Sequence, residues 1–330
     1  MFSKDVLRLD TEAEVNRLCK FLQDRVLAHY KRKGVVVGIS GGIDSAVVTA
    51  LNVRAFGAER VLGVVLPEKE SNPISAPLAR RLAGKFGVPI VETDLTPILA
   101  ALGVYRHKDL IIGRLAPGYA PEADKTKISL PANVLDRAAY NVFTLTVQKP
   151  NGTSHSVRLG ADDFREIESV QNMKQRVRMV QLYHHAERLH RVVCGTTNKT
   201  EADQGFYVKY GDGGVDIEPI AHLYKTQVYD LGRCLGVTDE ILNRMPSPDT
   251  WSGGVGDEEF YFRMPFEMLD LLLYAWNNAI PKTDIRGVLN LTEEQIDRAF
   301  GDFEAKSRAT WHLRTMPDTI AEASLADLQV

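Results

Sequence analysis

A Ser-Gly-Gly-x-Asp-Ser loop directly behind a strongly apolar run is the first group of residues whose spacing suits chemistry. Residues 35–39 are β-branched apart from one glycine, Gly38, and predict a buried parallel strand. The hexapeptide Ser40-Gly41-Gly42-Ile43-Asp44-Ser45 follows, and an apolar helical pattern extends over 43–56. A helix N-terminus directs unpaired N–H groups at the preceding turn, where glycines let the backbone approach a ligand. This pattern is typical of a phosphate-binding loop.

Asp44 gives the loop a more specific meaning. Ser40 and Ser45 add hydroxyl donors for a phosphate, whereas a carboxylate at position 44 would repel a bare anion. A divalent cation that bridges Asp44 to the phosphates would remove this conflict. The sequence therefore predicts a nucleotide-phosphate site with a metal ligand built in. The alternative is an ordinary strand-to-helix turn in which Ser40 or Asp44 caps the helix.

A second set of polar residues follows the strand that is predicted at residues 191–196. Glu201 comes soon after this strand and could join Asp44 on one Mg²⁺ ion, because the carboxyl ends of parallel strands meet at one edge of a sheet. The alternative is an exposed glutamate at a helix start. Lys225, early in its own predicted helix, could meet phosphates, although a lone helical lysine is more often solvated.

The stretch 205–219 is rich in glycine and aspartate and predicts an ordered loop. Lys209, Asp212 and Asp216 are charges that could bind a ligand there, and the neighbouring glycines would let the chain approach it closely. The alternative is a glycine-rich surface turn.

Strands and helices alternate around these loops. An amphipathic helix is predicted over 11–30, ahead of the first strand. Further elements are predicted at 61–66, 76–86, 89–93, 169–190 and 223–235. The alternation predicts one α/β domain over 1–330, with a Rossmann-like, doubly wound parallel sheet whose ligands bind at the carboxyl ends of its strands.

Two segments depart from this alternation. Residues 101–168 predict an insertion with a β-hairpin, formed by 141–147 and 154–159 around Lys149-Pro150-Asn151-Gly152. The insertion is either a lid or interface flap, or a passive surface addition. Residues 258–330 predict a mostly helical C-terminal extension.

Composition excludes several classes of function. The chain has 330 residues, a net charge of −3 and a pI near 6.3, which disfavours nucleic-acid binding. No apolar run approaches the ~20 residues needed to span a membrane. Three scattered cysteines indicate a reducing compartment, and we expect a cytoplasmic protein.

Several motifs together resemble those of a known family. The loop 40–45 is similar to that of the N-type ATP pyrophosphatases, which cleave ATP to AMP and pyrophosphate. Residues 172–179 resemble the Asn-x-x-x-Arg-x-Arg-Met helix of NAD synthetases, and 223–227 match their Leu-x-Lys-x-Gln. The stretch 192–216 is similar to the same family. The resemblance covers roughly 11–95 and 168–317.

The resemblance implies an ATP-dependent ligase that adenylates the nicotinate carboxylate of deamido-NAD, after which ammonia displaces AMP to give NAD. It implies ATP contacts from Gly38, Ser40, Gly41, Gly42, Asp44, Ser45, Thr196, Lys225 and Ser247. Mg²⁺ would be bound by Asp44 and Glu201. Deamido-NAD would be bound by Arg176, Lys209, Asp216 and His312. Asp212 would orient or deprotonate ammonium, and with Asp44 and Lys225 it completes the implied catalytic set.

The chain departs from the family pattern on the acceptor side. The family's C-terminal His-Lys pair is His312-Leu313 here, and Ser247-Pro248-Asp249-Thr250-Trp251 replaces the usual Thr-Ala-Asp-Leu pattern. A related ligase with another carboxylate acceptor is therefore an alternative, and a catalytically silent nucleotide-binding protein is a third reading. The resemblance implies a homodimer. No glutaminase domain is recognisable, so free ammonia, or ammonia from a separate glutaminase, would be the nitrogen source.

Overall fold

Four parallel strands form the central sheet of the computed structural model, which describes residues 2–131, 133–136 and 141–318. They are β1 (Val35–Gly38), β2 (Val61–Val65), β3 (Ile90–Glu92) and β7 (Val192–Cys194), in the order β3-β2-β1-β7. Val35 lies opposite both Val61 and Val192, so three strands start in register. β1 and β2 are buried at almost every position, as the apolar runs predict.

Helices cover both faces of this sheet, which confirms the doubly wound prediction. On one face pack α1 (Thr11–Gln23), α2 (Ile43–Phe56), α3 (Ser75–Phe86) and α8 (Lys225–Cys234). On the other pack α4 (Thr96–Ala101), α5 (Val104–Leu115) and α6 (Ala161–Leu189). Valines on alternate positions of β1 point into the two apolar clusters, and each fully buried valine contributes roughly 1.5–3 kcal/mol.

The N-terminal helix is not α-helical throughout its predicted length of 11–30. α1 ends at Gln23, and a π-helical turn, Asp24–His29, continues it. The apolar spacing predicts a continuous buried stripe, which the π turn preserves by burying Val26. Periodicity alone does not distinguish the two helix types.

The segment 101–168, predicted as an insertion, contains a small antiparallel sheet of three strands. These are β4 (Lys125–Ser129), β5 (Thr144–Gln148) and β6 (Ser154–Arg158). β5 and β6 form the predicted hairpin, whereas the sequence pattern did not indicate β4. The backbone N–H of Gly253 donates to Thr126 O (2.9 Å), so this sheet is bound to the segment that follows residue 247.

α6 begins at Ala161, so the predicted start at Ser169 was wrong. Two aspartates, Asp162 and Asp163, lie in its first turn, where their negative charges interact favourably with the positive end of the helix dipole. Ile167 and Val170 are buried on the side that packs in the apolar core. The added turns carry α6 beyond the central sheet and beside the small antiparallel sheet, where Phe164 stacks on Phe143.

Two short helices, α7 (Lys199–Gln204) and α9 (Asp239–Leu242), precede the C-terminal part. From residue 258 the described chain is mostly helical, as predicted, with a π-helical turn (Glu258–Phe262), α10 (Phe266–Asn277), α11 (Lys282–Leu289) and α12 (Glu293–Ala309). Thr292 and Gln295 form a capping box at the start of α12. The prediction for 319–330 lies outside the described residues. Across residues 2–131, 133–136 and 141–318, no helix combines the length and apolar character that crossing a membrane requires.

Candidate active site

The loop between β1 and α2 is shaped to leave its backbone open to a ligand. Gly41 has a φ of +75°, and a Cβ there would lie 2.5 Å from Ser75 O, so only glycine fits. Ser45 Oγ donates to Gly42 O (3.0 Å) and accepts from the backbone N–H of Ser40 (3.2 Å). These bonds hold the turn and direct the N-terminus of α2 at the space above it.

Lys225 joins the loop to the second polar group predicted from the sequence. Its Nζ donates to Asp44 Oδ2 (2.6 Å) and to Glu201 Oε1 (3.0 Å). Asn198 Nδ2 donates to the other oxygen of Asp44 (2.9 Å). The lysine side chain is only 1% exposed. The two carboxylates therefore converge on one buried cation at the carboxyl ends of β1 and β7.

Burial and the neighbouring charges shift the pKa values of Glu201 and Lys225. Burial raises the pKa of Glu201 to about 8, and the neighbouring Asp44 carboxylate adds to the rise, against the effect of Lys225. Burial disfavours the charged form of Lys225, but Asp44 and Glu201 outweigh it and hold the pKa well above its ordinary value. Lys225 therefore remains an ammonium ion at neutral pH.

Asp257 is a third carboxylate near this centre, and the sequence pattern gave no indication of it. It is 5% exposed, and among the described residues its Oδ1 has no hydrogen-bond partner. Burial raises its pKa to about 7, an effect that Asp44 and Glu258 reinforce and Lys225 opposes. Its backbone N–H donates to Pro246 O (2.9 Å), which fixes it to the segment after α9.

This raised pKa predicts a pH-dependent stability. The folded protein holds a proton on Asp257 up to about pH 7, whereas the unfolded chain releases it near the ordinary value of 3.8. The folded state thus binds more protons in that window, and the free energy of unfolding falls as pH rises through it. We expect Asp257→Asn to stabilise the protein at pH 8 relative to wild type, and progressively less towards pH 5.

Urea unfolding at several pH values measures this effect. Each pKa unit corresponds to ~1.4 kcal/mol, so the gain at pH 8 should exceed 1 kcal/mol. Asp230→Asn on the exposed surface of α8 is the control, because its side chain is 46% exposed. An equal effect of the two substitutions at all pH values would contradict the assignment.

A cavity of about 550 Å³ opens above the loop, and most of the residues predicted to contact ATP line it. Its wall includes Gly38, Ser40, Gly42, Asp44, Ser45, Thr196, Glu201, Asp212 and Ser247. Gly41 and Lys225 lie directly beside these residues. Asp212 is open to the cavity, and desolvation by the surrounding protein raises its pKa, while its Oδ1 accepts from Val208 N (2.7 Å).

Arg244 is a cation of this cavity that the sequence reasoning missed. Its Nη1 donates to Gly41 O (3.0 Å) and its Nη2 to Ser75 Oγ (2.7 Å). It lies after α9, far from the loop in sequence, so no local spacing indicates this contact. The guanidinium supports the loop carbonyl and faces the same space as the loop.

The four residues predicted for deamido-NAD do not line this cavity. Arg176 Nε donates weakly to Lys209 O (3.3 Å), and Lys209 Nζ donates to His312 O and Thr315 O (both 2.8 Å). Asp216 accepts from Val193 N (2.8 Å) and from Tyr183 OH (3.1 Å). Arg176, Lys209 and His312 form one surface cluster, and Asp216 lies apart from it. The role of these four residues in substrate binding stays a prediction.

A buried ionic network lies beneath the cavity. Lys174 Nζ donates to Glu68 Oε1 (2.9 Å), Glu70 Oε2 (2.6 Å) and Thr250 O (2.8 Å), and Glu70 also pairs with Lys108. Lys174 is fully buried, and burial lowers its pKa to about 8. The network connects the loop after β2 to α5, to α6 and to the segment after residue 247.

A doubly wound parallel sheet with this loop at a strand end, facing Glu201 and Lys225, fits the N-type ATP pyrophosphatases, which the loop resembles in sequence. A family model described as NAD synthase matches residues 14–112 and 121–317. The chain belongs to the NAD synthase family.

One relative supports this assignment by sequence, and two solved structures are similar in fold. An NH(3)-dependent NAD(+) synthetase of Mesorhizobium japonicum is 43% identical over 312 residues, which are 94% of this chain and 97% of that protein. An NMN synthetase structure from Francisella tularensis has a TM-score of 0.64 at 20% identity, over 94% of this chain and 98% of its own. An NH3-dependent NAD synthetase structure from Campylobacter jejuni has a TM-score of 0.62 at 19% identity, over 95% and 100%. These two structures share the fold.

Proposed function

We propose that this protein is an ammonia-dependent NAD synthetase. ATP adenylates the nicotinate carboxylate of deamido-NAD with release of pyrophosphate, and ammonia then displaces AMP to form the amide of NAD. The observation that carries the proposal is the convergence of Asp44, Glu201 and Lys225 at the phosphate loop, in a chain that belongs to the NAD synthase family.

The chemistry of adenylation explains why this site is needed. A carboxylate resists attack by ammonia until one of its oxygens becomes part of a good leaving group, which AMP supplies. The backbone N–H groups at the N-terminus of α2, with Ser40 and Ser45, bind the triphosphate. Lys225 and Arg244 place positive charge where the pyrophosphate leaves, which stabilises the transition state for its departure.

The charge of the cavity supports a requirement for Mg²⁺. Seven carboxylates but only two guanidinium groups belong to its described wall, so a polyanionic nucleotide needs additional positive charge there. Asp44 and Glu201 would hold the ion, since both reach one ammonium nitrogen. Among the described residues no set of three or more His, Cys, Asp or Glu side chains forms a metal cage. Two carboxylates suit Mg²⁺, which usually adds phosphate oxygens and water. When bound, it would polarise the phosphates.

Asp212 is our candidate for handling ammonia. It faces the cavity, and its raised pKa brings it nearer to neutral pH than an ordinary aspartate. A carboxylate in this position attracts ammonium and accepts its proton, which frees ammonia to attack the adenylate. Thr196 and Ser247, on the same wall, contact ATP in this proposal.

We place deamido-NAD on Arg176, Lys209, Asp216 and His312, at the interface of a homodimer. These residues are outside the cavity, and exposed apolar side chains lie near them in sequence, among them Val180 (56% exposed), Tyr210 (55%) and Trp311 (67%). Sedimentation equilibrium tests the dimer, and a species at the chain mass of 36.7 kDa at all concentrations would contradict it.

The cytoplasm is the proposed location of the protein, and its three free cysteines support this proposal. Cell fractionation tests that assignment.

The decisive experiment is mass spectrometry of the products formed from ATP, Mg²⁺, ammonium and deamido-NAD. We expect NAD, AMP and pyrophosphate in equal amounts. The same assay with other carboxylates tests the alternative acceptor. AMP formation with another acid and none with deamido-NAD would overturn the proposal, and no pyrophosphate with any acceptor would indicate a silent nucleotide-binding protein.

Arg176→Ala should separate the two substrates. Because Arg176 lies outside the cavity wall, we expect the KM for deamido-NAD to rise roughly tenfold, as for one lost charged hydrogen bond, with the KM for ATP nearly unchanged. Steady-state kinetics with each substrate varied measures this. Arg165→Ala is the control, on the same helix and 68% exposed. Equal changes in both KM values would remove the assignment.

A further inference from the structure

A fully buried carboxylate outside the cavity joins the two helices that carry Glu201 and Lys225. This carboxylate belongs to Asp270 on α10. Its Oδ1 accepts from Thr200 Oγ1 (2.6 Å) on α7, and its Oδ2 accepts from the backbone N–H of Thr226 (2.8 Å) on α8. Within the described residues Asp270 is not part of the cavity wall, so it has no direct part in the chemistry assigned above.

Thr200 completes the connection between the two helices. This residue is fully buried, and its Oγ1 donates to Asp270 and accepts from the backbone N–H of Lys225 (3.0 Å). The first two N–H groups of α8 are therefore bound by a carboxylate from α10 and a hydroxyl from α7. The N–H groups at a helix start need such acceptors, and Tyr224, the residue before α8, is not one of the short polar residues that usually supply them.

Both ends of this connection are next to residues of the candidate active site. Thr200 directly precedes Glu201 in the chain, and Lys225 is the first residue of α8. The ammonium of Lys225 also lies over the ring of Phe266, with Nζ 5.4 Å from the ring centroid. Phe266 and Asp270 are four residues apart on α10 and share one face of that helix. This face therefore contacts both the start of α8 and the end of the lysine side chain.

We infer that Asp270 is a positioning residue for adenylation, acting through Thr200 and through the N-terminus of α8. Its two hydrogen bonds hold α7 and α8 together, and the relative position of these helices sets how the Lys225 ammonium meets Asp44 and Glu201. The inference rests on the proposed function, in which Lys225 stabilises the departing pyrophosphate. A shift of the helix start would therefore weaken stabilisation of the transition state more than binding of the substrates.

Asp270→Asn and Thr200→Val each break this connection with little change of side-chain shape. The amide keeps one acceptor oxygen where the carboxylate has two, and valine replaces the hydroxyl by a methyl group. We expect each substitution to lower kcat for pyrophosphate release roughly tenfold or more, with both KM values within about threefold of wild type. The double variant should be no slower than the slower single variant, because both substitutions remove the same connection.

Thr200→Ser separates positioning from stability. It keeps the hydroxyl and removes a buried methyl group, so we expect a lower melting temperature than wild type, with kcat retained within about threefold. Asp124→Asn is the matched control for the carboxylate. The Asp124 side chain is 2% exposed and accepts from the backbone N–H of Ala120 (2.8 Å) and from Lys149 Nζ (2.7 Å). It does not line the cavity as the described residues form it, so Asp124→Asn should leave kcat within about twofold of wild type.

All rates are measured below the melting transition of every variant, with the carboxylate that the wild type uses, so the comparison holds for any acceptor. Wild-type kcat in both Asp270→Asn and Thr200→Val would overturn the inference. A decrease in kcat that follows the melting temperature across all variants, Thr200→Ser included, would assign Asp270 a purely structural role and would also overturn it.

The NMR signal of the Lys225 ammonium group gives a second measurement, without turnover. The side chain is 1% exposed, so its ammonium protons are protected from exchange with water, and Lys225→Met identifies the signal by removing it. We expect the signal to shift in Asp270→Asn and in Thr200→Val and to stay in place in Asp124→Asn. These shifts would support the positioning of Lys225 even if the wild type made no NAD, which separates this inference from the proposed function. An unshifted signal in both variants would overturn it.

Discussion

Asp44→Asn should reduce NAD formation about 10³-fold and leave the fold intact. The substitution removes the charge that pairs with Lys225 and that would bind Mg²⁺, and losing one such electrostatic group in a closed site typically costs 10²–10³ in rate. The retained Oδ1 still accepts from Asn198, and Lys225 keeps Glu201 as a partner. Pyrophosphate release at saturating substrates measures the rate, and circular dichroism with thermal melting measures the fold.

Asp297→Asn provides the comparison for Asp44→Asn. This aspartate is 54% exposed on α12 and far from the cavity wall, so its replacement should leave the rate within twofold. Wild-type rates in Asp44→Asn, with a wild-type melting curve, would remove Asp44 from both the catalytic and the metal-binding assignment.

Lys174→Met should lower the free energy of unfolding by about 3–5 kcal/mol. Removing one partner of a buried ion pair leaves uncompensated charge, here the carboxylates of Glu68 and Glu70, and it also deprives Thr250 O of its donor. Tyr105 still donates to Glu68, and Lys108 still pairs with Glu70, so the loss is partial at each carboxylate. Urea unfolding followed by fluorescence measures the change.

Lys69→Met is the matched substitution at the surface. Lys69 is 43% exposed and pairs with Glu122, which is 84% exposed, and such pairs contribute under about 1 kcal/mol. If the two lysine variants were equally stable, the buried network would contribute no more than a solvated ion pair, and its role in joining the surrounding segments would have to be abandoned.

The sequence correctly predicts that Asp44 and Glu201 lie close together, because the position of each carboxylate follows from the short segment around it. Each carboxylate follows a short apolar strand, and parallel strands bring their carboxyl ends to one edge. β1 and β7 are direct neighbours, so the two loops that follow them meet. The helix dipole and the glycines of the loop are likewise properties of one short segment.

The partners of those residues were beyond sequence reasoning, because they depend on distant packing. Lys225 was predicted to meet phosphates, but its bonds to Asp44 and Glu201 were not. Arg244 and Asp257 reach the site from other elements, and no spacing within the chain indicates their positions. The start of α6 was missed because exposed charged residues in its first turns hide the apolar spacing. The roles of the insertion and of Arg176, Lys209, Asp216 and His312 stay predictions.

The continuity of α6 has a consequence for how such enzymes diversify. This helix has 29 residues, about 43 Å in length, and runs without interruption from the small antiparallel sheet past the end of β1. Its first turns face the distant part of the cavity, and its later turns support the phosphate loop. Mutations in the early turns can therefore change which molecules are admitted while the adenylating machinery is inherited unaltered. The same separation offers protein engineers a starting point for amide ligases with new substrates.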